Sequence, residues 1–566
     1  MCWETAYEQW LNAPALSQQE QEELRAIQKD KMELRERFCA PLAFGTAGLR
    51  GTMKVGLHHM NVHVVRWVTQ GFAEVICAES DWAGDRKAAV CMDGRKNSRR
   101  FAEAAAEVLA ANGITVYLFD GPRPTPELSF AVRAYGCLAG INITASHNPK
   151  EYNGYKAYWC DGAQLQTETA MAVSARLEEI DVFAGPKRMD LQRGIELGRI
   201  CLLGRSCDEA YLKAVEELST VWPGMEADKE KVKIVYTPLH GCGYQLVPEI
   251  LCRTGLQRLL CEPSQMVLDG DFSTVESPNP EYPESFARAA ELAIRENADL
   301  ILGTDPDCDR VGLLVRGPSG KFLPLSGNQT GVLLLDYICA GRIEKGTMPK
   351  NPVAVKSIVS TPLADAVAEH YGVELRSVLT GFKWIGDQIA QLEAADEVDR
   401  FIFGFEESYG YLAGPYVRDK DAVIGSMLIC EMAAYYRSIG SSLKQRMEEI
   451  YAQYGRYLNK VDSFEFPGLS GMDKMSALMQ GLRDKPLTEI AGHAIVKVTD
   501  YQKPEETGLP AANVLIYKLD NGETVVVRPS GTEPKIKIYY TTLGKNLEEA
   551  EAEKEKLAEA LKPIMA

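Results

Sequence analysis

Short apolar runs alternate with amphipathic stretches through most of this chain, and this alternation restricts the possible fold more than any other feature. Strand-like runs occupy 88–93, 114–119 and 139–144, with helical patterns near 99–112 and 126–136. Apolar β-branched runs separated by amphipathic helices indicate βαβ units, in which neighbouring strands are parallel. The sequence therefore predicts a parallel sheet in this region.

The same alternation occurs twice more, over 232–316 and over 353–437. Past about residue 455 the order changes to strand-rich segments closed by a charged helix at 545–562. A chain of 566 residues is also too long for one hydrophobic core, because single cores stop growing near roughly 250 to 300 residues. We therefore predict the α/β fold class: three similar α/β domains with mixed, mainly parallel sheets and a C-terminal α+β domain, around a central cleft.

The predicted divisions of the chain follow from these patterns. They are an N-terminal helical extension at 1–40, α/β domains at 41–200, 201–316 and 317–450, and an α+β domain at 451–566. Within the extension, Ser17 and Glu20 form a capping-box pattern that is followed by charged helix formers. This pattern predicts one exposed helix over 17–38.

Composition and charge disfavour several classes of partner. The net charge is −17 and the isoelectric point is near 5.1, whereas nucleic acids and anionic membranes are bound through surplus Lys and Arg. We therefore expect no nucleic acid and no membrane as partners. The 14 cysteines are scattered without a CxxC pair, which favours reduced thiols. No leader-like or membrane-spanning apolar run is found, so we expect a cytoplasmic protein.

In parallel α/β sheets, ligands bind beyond the carboxyl ends of the strands, where the connecting loops converge. The loop after the run at 139–144 contains Ser146 and His147, with Lys150 and Lys156 close behind. A serine hydroxyl can accept a phosphoryl group, and neighbouring cations offset its charge. The loop is a candidate phosphoserine site, and the alternative is a plain turn, because such residues populate loops for local hydrogen bonding.

The loop after the run at 299–304 contains Asp305, Asp307 and Asp309, followed by Arg310. Three carboxylates at alternate positions can face one centre and supply the hard oxygen ligands that Mg²⁺ prefers. An EF-hand is disfavoured because its glycine and distal glutamate are not at the required spacing. The alternative is a solvated acidic turn.

Two further loops contain polar groups suited to a phosphorylated sugar. Glu406 and Ser408 offer acceptors for sugar hydroxyls, although an exposed glutamate pair is the alternative reading of that loop. The second loop can cradle a phosphate through a guanidinium, hydroxyls and exposed backbone N–H groups, with a hairpin turn as the alternative. Its candidate residues are Arg528, Ser530, Gly531, Thr532 and Lys535.

One glycine-rich segment is not a nucleotide loop. Residues 44–51 contain Arg50 but lack both the Walker ending and the Rossmann spacing.

In this order the four loops resemble the α-D-phosphohexomutase superfamily. The matching segments are TASHNP at 144–149, DPDCDR at 305–310, FEES at 405–408 and RPSGTEP at 528–534, supported by 124–126, 236–241, 326–328 and 380–383. The resemblance is closer to the long phosphoglucomutase group, with its phosphopentomutase-like members. Tyr411 and Phe382 stand near the places where the bacterial phosphomannomutase pattern has histidines, which disfavours mannose phosphate.

The resemblance implies a phosphoglucomutase that interconverts glucose 1-phosphate and glucose 6-phosphate. Phospho-Ser146 would donate its phosphoryl group to a hexose phosphate, form glucose 1,6-bisphosphate and take back the other group. Mg²⁺ and glucose 1,6-bisphosphate as activator are the implied cofactors. The alternatives are phosphomannomutase or phosphopentomutase activity, a metal-dependent sugar phosphatase with Asp305 as nucleophile, and a sugar-phosphate sensor.

The resemblance also implies a role for each candidate residue, and a hexose phosphate as the partner of a monomer or small homo-oligomer. Catalytic roles fall to Ser146, Lys156, His147, Arg50 and Arg310; metal binding to Ser146, Asp305, Asp307 and Asp309; sugar binding to Glu406, Ser408 and Lys383; and phosphate binding to Arg528, Ser530, Gly531, Thr532 and Lys535. Proton transfer is assigned to Lys156 or His147, with a neighbouring lysine or arginine expected to lower the lysine pKa.

Overall fold

The computed structural model describes residues 2–46, 48–80, 82–221, 225–317, 319–466, 471–530 and 535–565. The chain begins with three helices: α1 (Trp3–Leu11), α2 (Gln18–Ala26) and α3 (Lys31–Phe38). The capping box at Ser17 is confirmed. The prediction of one exposed helix over 17–38 is wrong, because Asp30 caps a separate helix by accepting hydrogen bonds from Met32 N and Glu33 N.

The first α/β unit contains a six-stranded sheet within the described residues, in the order β1-β5-β4-β2-β3-β6. Its strands are β1 (Leu49–Thr52), β2 (Lys87–Met92), β3 (Thr115–Phe119), β4 (Ala139–Ile143), β5 (Tyr152–Trp159) and β6 (Ile200–Leu203). Its helices are α4 (Val62–Ala78), α5 (Ser98–Ala111), α6 (Thr125–Ala134), α7 (Thr167–Glu179) and α8 (Leu191–Glu196). Strand β2 pairs in parallel with β3 and β4, as the βαβ pattern predicts, whereas β5 is antiparallel to β4.

The second and third units repeat this arrangement on smaller sheets. The second sheet has the order β11-β10-β9-β7-β8 and the third the order β13-β12-β14-β15. The second unit comprises α9 (Arg205–Glu216), α10 (Glu226–Lys229), β7 (Ile234–Thr237), α11 (Gly243–Arg253), β8 (Leu259–Cys261), α12 (Ala287–Arg295), β9 (Leu300–Thr304), β10 (Val311–Arg316) and β11 (Phe322–Leu325). The third comprises α13 (Gly327–Glu344), β12 (Val353–Ser357), α14 (Leu363–Tyr371), β13 (Glu374–Val378), α15 (Phe382–Ala394), β14 (Phe401–Glu406), β15 (Gly410–Leu412), α16 (Ala422–Ser438) and α17 (Leu443–Tyr454).

The fourth unit has a different, antiparallel sheet in the order β16-β21-β20-β19-β18-β17. It comprises β16 (Arg456–Glu465), α18 (Gly471–Asp484), β17 (Glu489–Ile490), β18 (His493–Asp500), α19 (Pro504–Thr507), β19 (Leu515–Leu519), β20 (Thr524–Pro529), β21 (Lys535–Gly544) and α20 (Leu547–Met565). The predicted fold class, three α/β units and an α+β unit, is confirmed. No helix in the described part of the chain has the length and apolar content needed to cross a membrane.

The hydrophobic cores show how the units are joined. The second and third units share one continuous cluster of buried side chains, whereas the fourth has its own around β19–β21 and α20. The N-terminal helices contribute Leu24, Leu34 and Phe38 to the core of the first unit. The helices therefore pack against the first unit. The prediction that 17–38 is exposed is wrong for the side of the helices that contains Leu24, Leu34 and Phe38.

Candidate active site

The loops that follow β4 and β9 meet, because each leaves the carboxyl end of a buried strand. Ser146 is only 3% exposed, and its Oγ donates a hydrogen bond to Asp305 Oδ2 at 3.0 Å. The candidate phosphoserine and the candidate metal loop are thus in direct contact. They come from two different units and are 159 residues apart in sequence.

His147 lies beside the Ser146 hydroxyl. Its Nδ1 is 3.2 Å from Ser146 Oγ, a distance at which a proton can pass between the two groups. Burial, together with the guanidinium groups of Arg310 and Arg50, holds the pKa of His147 well below its ordinary value. The imidazole is therefore neutral near pH 7.

The three aspartates form a buried cluster whose ligand oxygens lie within 4.8 Å of one another. Asp305 Oδ1 accepts hydrogen bonds from the backbone N–H groups of Asp309 and Arg310. Asp307 Oδ1 and Asp309 Oδ1 are buried without a hydrogen-bond partner. Buried oxygens are nearly always paired, so two orphaned carboxylate oxygens beside Ser146 fit a hard divalent cation.

Two lysines neutralise the other oxygens of this cluster. Lys156 Nζ lies 2.7 Å from Asp307 Oδ2 and 3.1 Å from Asp309 Oδ2. Burial lowers the pKa of Lys156, but Asp307 and Asp309 outweigh that effect and raise it overall. The sequence analysis expected a neighbouring cation to lower the pKa of Lys156, whereas the net effect in the structure is to raise it.

The second lysine, Lys420, was missed by the sequence analysis. Its Nζ lies 2.8 Å from Asp309 Oδ2 and 3.3 Å from Asp419 Oδ1. Asp419 in turn accepts a hydrogen bond from Tyr158 OH at 2.9 Å. The available signal was the run of four charged residues at 418–421 directly before the apolar helix α16, since charges in such a position are buried only when paired.

Thr125 and Asn142 hold the metal loop from the side of the first unit. Thr125 N donates to Asp307 O at 2.9 Å, and Thr125 Oγ1 donates to Asp307 Oδ2 at 2.9 Å. Asn142 Nδ2 donates to Thr125 Oγ1 at 2.7 Å. The familiar segment at 124–126 thus contacts a candidate ligand.

Arg50 and Arg310 both lie near this centre. Arg50 Nη1 donates to Asn148 Oδ1 at 2.7 Å in the phosphoserine loop. Arg310 Nη1 is 2.6 Å from Glu281 Oε1, and its Nε is 3.9 Å from Asp309 Oδ1. Both cations are therefore close to the reacting groups that the sequence analysis proposed.

The candidate sugar loop follows β14. Glu406 is buried, and its Oε1 accepts a hydrogen bond from Gly381 N at 2.7 Å. Burial and the neighbouring Glu407 raise the pKa of Glu406 to about 7, and the charges of Lys420 and Arg310 are near enough to oppose this shift. Ser408 is half-buried, and Lys383 Nζ lies 4.5 Å from the centroid of the Trp384 ring.

The candidate phosphate loop joins β20 to β21, so it is also a hairpin connection. Arg528 Nη1 donates to Tyr539 OH at 3.4 Å, and Ser530 N donates to Lys535 O at 2.7 Å. Gly531 and Thr532 lie outside the described residues. Burial raises the pKa of Tyr539, and the nearby carboxylates of Glu407 and Glu406 raise it further. This part of the fourth unit is therefore close to the sugar loop.

The chain is similar to known sugar-phosphate mutases along most of its length. Family models described as phosphoglucomutase/phosphomannomutase α/β/α domains I, II and III and C-terminal domain match residues 41–183, 209–319, 326–454 and 484–560. The phosphoglucomutase of Staphylococcus aureus strain MSSA476 is 37% identical over 533 residues, which is 92% of this chain and 93% of that protein.

Two solved structures have a similar fold at low sequence identity. The open form of parafusin, a phosphoglucomutase from Paramecium, has a TM-score of 0.67 at 18% identity, covering 93% of this chain and 95% of that one. A phosphoglucomutase/phosphomannomutase family protein from Burkholderia thailandensis has a TM-score of 0.67 at 16% identity, covering 92% and 97%.

Proposed function

The chain belongs to the phosphoglucomutase/phosphomannomutase family, and we propose that it interconverts glucose 1-phosphate and glucose 6-phosphate. The observation that supports this most directly is the contact between Ser146 Oγ and Asp305 Oδ2 at 3.0 Å. A serine hydroxyl held beside a cluster of metal-binding carboxylates is suited to carry a phosphoryl group. The enzyme is an intramolecular phosphotransferase, a class of isomerase.

Ser146 is both donor and acceptor of the phosphoryl group. The hydroxyl of a bound hexose monophosphate attacks the phosphorus of phospho-Ser146, the bond to Ser146 Oγ breaks, and glucose 1,6-bisphosphate forms. The bisphosphate then presents its other phosphoryl group, Ser146 Oγ attacks that phosphorus, the bond to the sugar oxygen breaks, and the isomeric hexose monophosphate leaves. Free glucose 1,6-bisphosphate is accordingly the activator, because it can phosphorylate an enzyme that has lost its phosphoryl group.

Asp305, Asp307 and Asp309 would hold Mg²⁺, together with an oxygen of phospho-Ser146. The bound cation supplies charge stabilisation for the transferring group. Arg310 and Arg50 add fixed positive charge near the same group, and such preorganised charge acts strongly in a buried site. Positioning and electrostatics supply most of the catalysis in phosphoryl transfer.

Two groups would move the proton of the attacking hydroxyl. His147 is neutral and 3.2 Å from Ser146 Oγ, so it can exchange a proton with the serine. Lys156 is charged while Asp307 and Asp309 are anionic. A bound cation that offsets the charge of these two aspartates would lower the pKa of Lys156 into a useful range. Lys420 balances Asp309 from the other side.

The other two loops hold the substrate. Glu406, Ser408 and Lys383 would bind sugar hydroxyls, and Arg528, Ser530, Gly531, Thr532 and Lys535 would bind the phosphate that does not react. The bisphosphate must bind in two orientations, so a separate phosphate clamp on the fourth unit suits both half-reactions. Water exclusion by the docked fourth unit would protect the phosphoserine from hydrolysis.

We also propose the division into an extension at 1–40 and domains at 41–200, 201–316, 317–450 and 451–566, with a cytoplasmic location and a monomeric or small homo-oligomeric state. The similar strand order at the cores of the three α/β units supports the number of domains. Three of the predicted bounds fall too early, because β6 extends the first unit to Leu203, β11 extends the second to Leu325 and α17 extends the third to Tyr454. All 14 cysteines are free, which suits a reducing compartment.

The test is conversion of glucose 1-phosphate to glucose 6-phosphate with Mg²⁺ and catalytic glucose 1,6-bisphosphate. Wild type is compared with Ser146→Ala and with Ser438→Ala, a remote serine whose Oγ donates to Tyr435 O. We expect activity in wild type and Ser438→Ala and its loss in Ser146→Ala. Phosphate release that persists in Ser146→Ala would indicate a phosphatase, and binding without turnover would indicate a sensor. Faster turnover of mannose or pentose phosphates would reassign the substrate.

A further inference from the structure

Arg95 lies beneath the phosphoserine loop and contacts it more extensively than any catalytic candidate does. It follows β2, and its side chain is fully buried. Its guanidinium donates to four backbone carbonyl oxygens of the loop and the segment after it: Ser146 at 2.5 Å, Asn148 at 2.5 Å, Pro149 at 2.9 Å and Tyr152 at 3.3 Å. One side chain therefore holds the backbone on both sides of the turn.

The guanidinium is itself fixed in place from two directions. Its Nε lies 3.2 Å from Asp93 Oδ2, and its central carbon lies 4.9 Å from the centroid of the Phe272 ring. Asp93 belongs to the first unit and Phe272 to the second. The orientation of Arg95 thus depends on the docking of the two units whose loops form the candidate active site.

The phosphoserine loop needs such support because its central residue has an unfavourable backbone conformation. Ser146 has a φ of 52°, in the left-handed region that residues other than glycine rarely adopt. Strained residues persist only where the surroundings determine their conformation. The planar fork of arginine can bind several acceptors at once in a fixed plane, which the point charge of a lysine cannot reproduce.

We propose that Arg95 is a positioning residue for phosphoryl transfer, acting through the backbone of the phosphoserine loop. This inference rests on the proposed mutase function. The four carbonyl contacts set the distance and direction of Ser146 Oγ relative to Asp305, and the reaction is sensitive to that geometry. A misplacement of about 1 Å can lower a rate by about a hundredfold.

If Arg95 had a purely structural role, its replacement by lysine would affect the reaction rates no more than the same replacement elsewhere. The chain contains an arginine that serves as this control. Arg316 is half-buried and makes contacts of the same kind: it donates to Ala298 O at 2.7 Å and Ala293 O at 3.2 Å, and its central carbon lies 4.9 Å from the Phe322 ring centroid. It lies on β10, at the end away from the aspartate loop. Arg316→Lys therefore reports the cost of the same substitution without the phosphoserine loop.

The experiment compares Arg95→Lys with Arg316→Lys in the full-length enzyme. The kinetic readouts are kcat and KM for glucose 1-phosphate, and the single-turnover rate at which glucose 1,6-bisphosphate phosphorylates the dephosphorylated enzyme, followed by intact mass. We expect kcat and the single-turnover rate of Arg95→Lys to fall about tenfold to a hundredfold, with KM little changed, because the lost interaction serves the transition state. Arg316→Lys should retain both rates.

Hydrogen–deuterium exchange of residues 144–153 gives a readout that does not depend on activity. Exchange should rise in Arg95→Lys and stay unchanged in Arg316→Lys. Rates of Arg95→Lys that match those of Arg316→Lys, or unchanged exchange in this segment, would overturn the proposal. If the wild-type enzyme does not convert hexose phosphates, the proposed function is wrong. The comparison of hydrogen–deuterium exchange in the two variants would still show whether Arg95 holds the phosphoserine loop. If Arg95→Lys does not fold, Phe272→Leu should show the same losses to a smaller degree.

Discussion

Lys156 and Lys420 approach the aspartate loop from different units and share the same carboxylate, Asp309. Together they offset two of the three negative charges, because each nitrogen lies within 3.1 Å of an aspartate oxygen. The unpaired oxygens of Asp307 and Asp309 remain. Like charges buried this closely repel one another, so the centre should gain stability from a cation.

The first prediction concerns the metal. Mg²⁺ at about 100 times its Kd should raise the free energy of unfolding by about 2.7 kcal/mol, because it binds only the folded state. Asp307→Asn should lose this gain, and Asp399→Asn, a change at an exposed aspartate, should keep it. Urea unfolding with Mg²⁺ and with a chelator measures the difference. Equal stability in both conditions would argue against a resident metal.

The second prediction concerns Glu406, whose pKa is raised to about 7. Only the ionised carboxylate is a full acceptor for sugar hydroxyls, so kcat/KM should rise as the pH increases from about 6 to about 8. Glu406→Gln should have a lower kcat/KM and lack this rise. The measurement is a pH profile of kcat/KM for both proteins, and a rise of equal size in Glu406→Gln would assign it to the substrate phosphate instead.

The sequence identified the loops that contain the candidate catalytic and metal-binding residues, but not every residue that contacts them. Asp305, Asp307 and Asp309 were recognisable because their alternate spacing acts within one short loop. Thr125 was noticed only as part of the segment 124–126, and Lys420 was missed. The role of Thr125 depends on a contact with Asp307, 182 residues away, and that of Lys420 on a contact with Asp309, more than 100 positions away. Such contacts depend on how the units pack against one another, which a local sequence pattern does not predict.

Partly buried ionic contacts join the N-terminal helices to the first unit. Arg37 on α3 is 5% exposed; it lies 2.5 Å from Glu23 Oε1 and donates to Val55 O at 2.9 Å. Glu23 also accepts from Val55 N at 3.1 Å. These bonds tie the extension to the segment after β1, the strand that contains Arg50. The extension is therefore an integral layer of the first unit.

The third prediction concerns the pH dependence of this docking. Glu20 Oε1 lies 3.3 Å from His63 Nε2, with the Glu20 side chain 15% exposed. The contact with His63, together with hydrogen bonds from Ser17 N and Oγ, lowers the pKa of Glu20 from 4.5 to about 2. Because the folded pKa is depressed, the stabilisation is present above pH 4.5 and is lost as the pH falls toward about 2.

Glu20→Gln should therefore destabilise the protein at neutral pH by about 1 to 3 kcal/mol. The difference from wild type should narrow as the pH is lowered through the ordinary glutamate range, and Glu22→Gln, an exposed neighbour on α2, should have little effect. Chemical denaturation across this pH range is the measurement. A difference that stays constant with pH would mean that the ion pair does not stabilise the docked helices.

Some elements could not be predicted for physical reasons. Among the described residues, strand β16 lies at the edge of its sheet beside β21, and its residues are half-buried or exposed with no clean alternation. Edge strands commonly contain charged residues, so β16 lacks the apolar run that identified β2, β4 and β9. The buried parallel strands were recognisable because both of their faces are covered.

For the whole molecule, the separate core of the fourth unit is the decisive feature. This unit contacts the third in part through a small cluster in which Val359 packs against Val514, Val526 and Tyr539, and Tyr457 of β16 packs against the core shared by the second and third units. Small interfaces between domains permit relative motion. The first three units, in contrast, are joined by charged and hydrogen-bonded contacts inside the site itself, such as Thr125 with Asp307 and Tyr158 with Asp419.

The last prediction follows from this division. Deleting the chain past Gly455 should leave a folded protein, because Gly455 follows α17 directly and the core of the first three units lies before it. The truncated enzyme keeps Ser146, the aspartate loop, both lysines and Glu406, so glucose 1,6-bisphosphate should still phosphorylate Ser146. Mutase turnover should fall by at least about a thousandfold, since the proposed phosphate clamp between β20 and β21, which would orient the bisphosphate, is gone.

Intact mass and coupled turnover assays on the same preparation separate these two outcomes. Ser146→Ala in the truncated chain is the control, and it should show no gain in mass. A truncated enzyme with full turnover would refute the clamp, and one that cannot be phosphorylated would place the fourth unit in the transfer step itself. The expected result, a phosphorylated but inactive core, would assign phosphoryl transfer to the first three units and substrate orientation to the fourth.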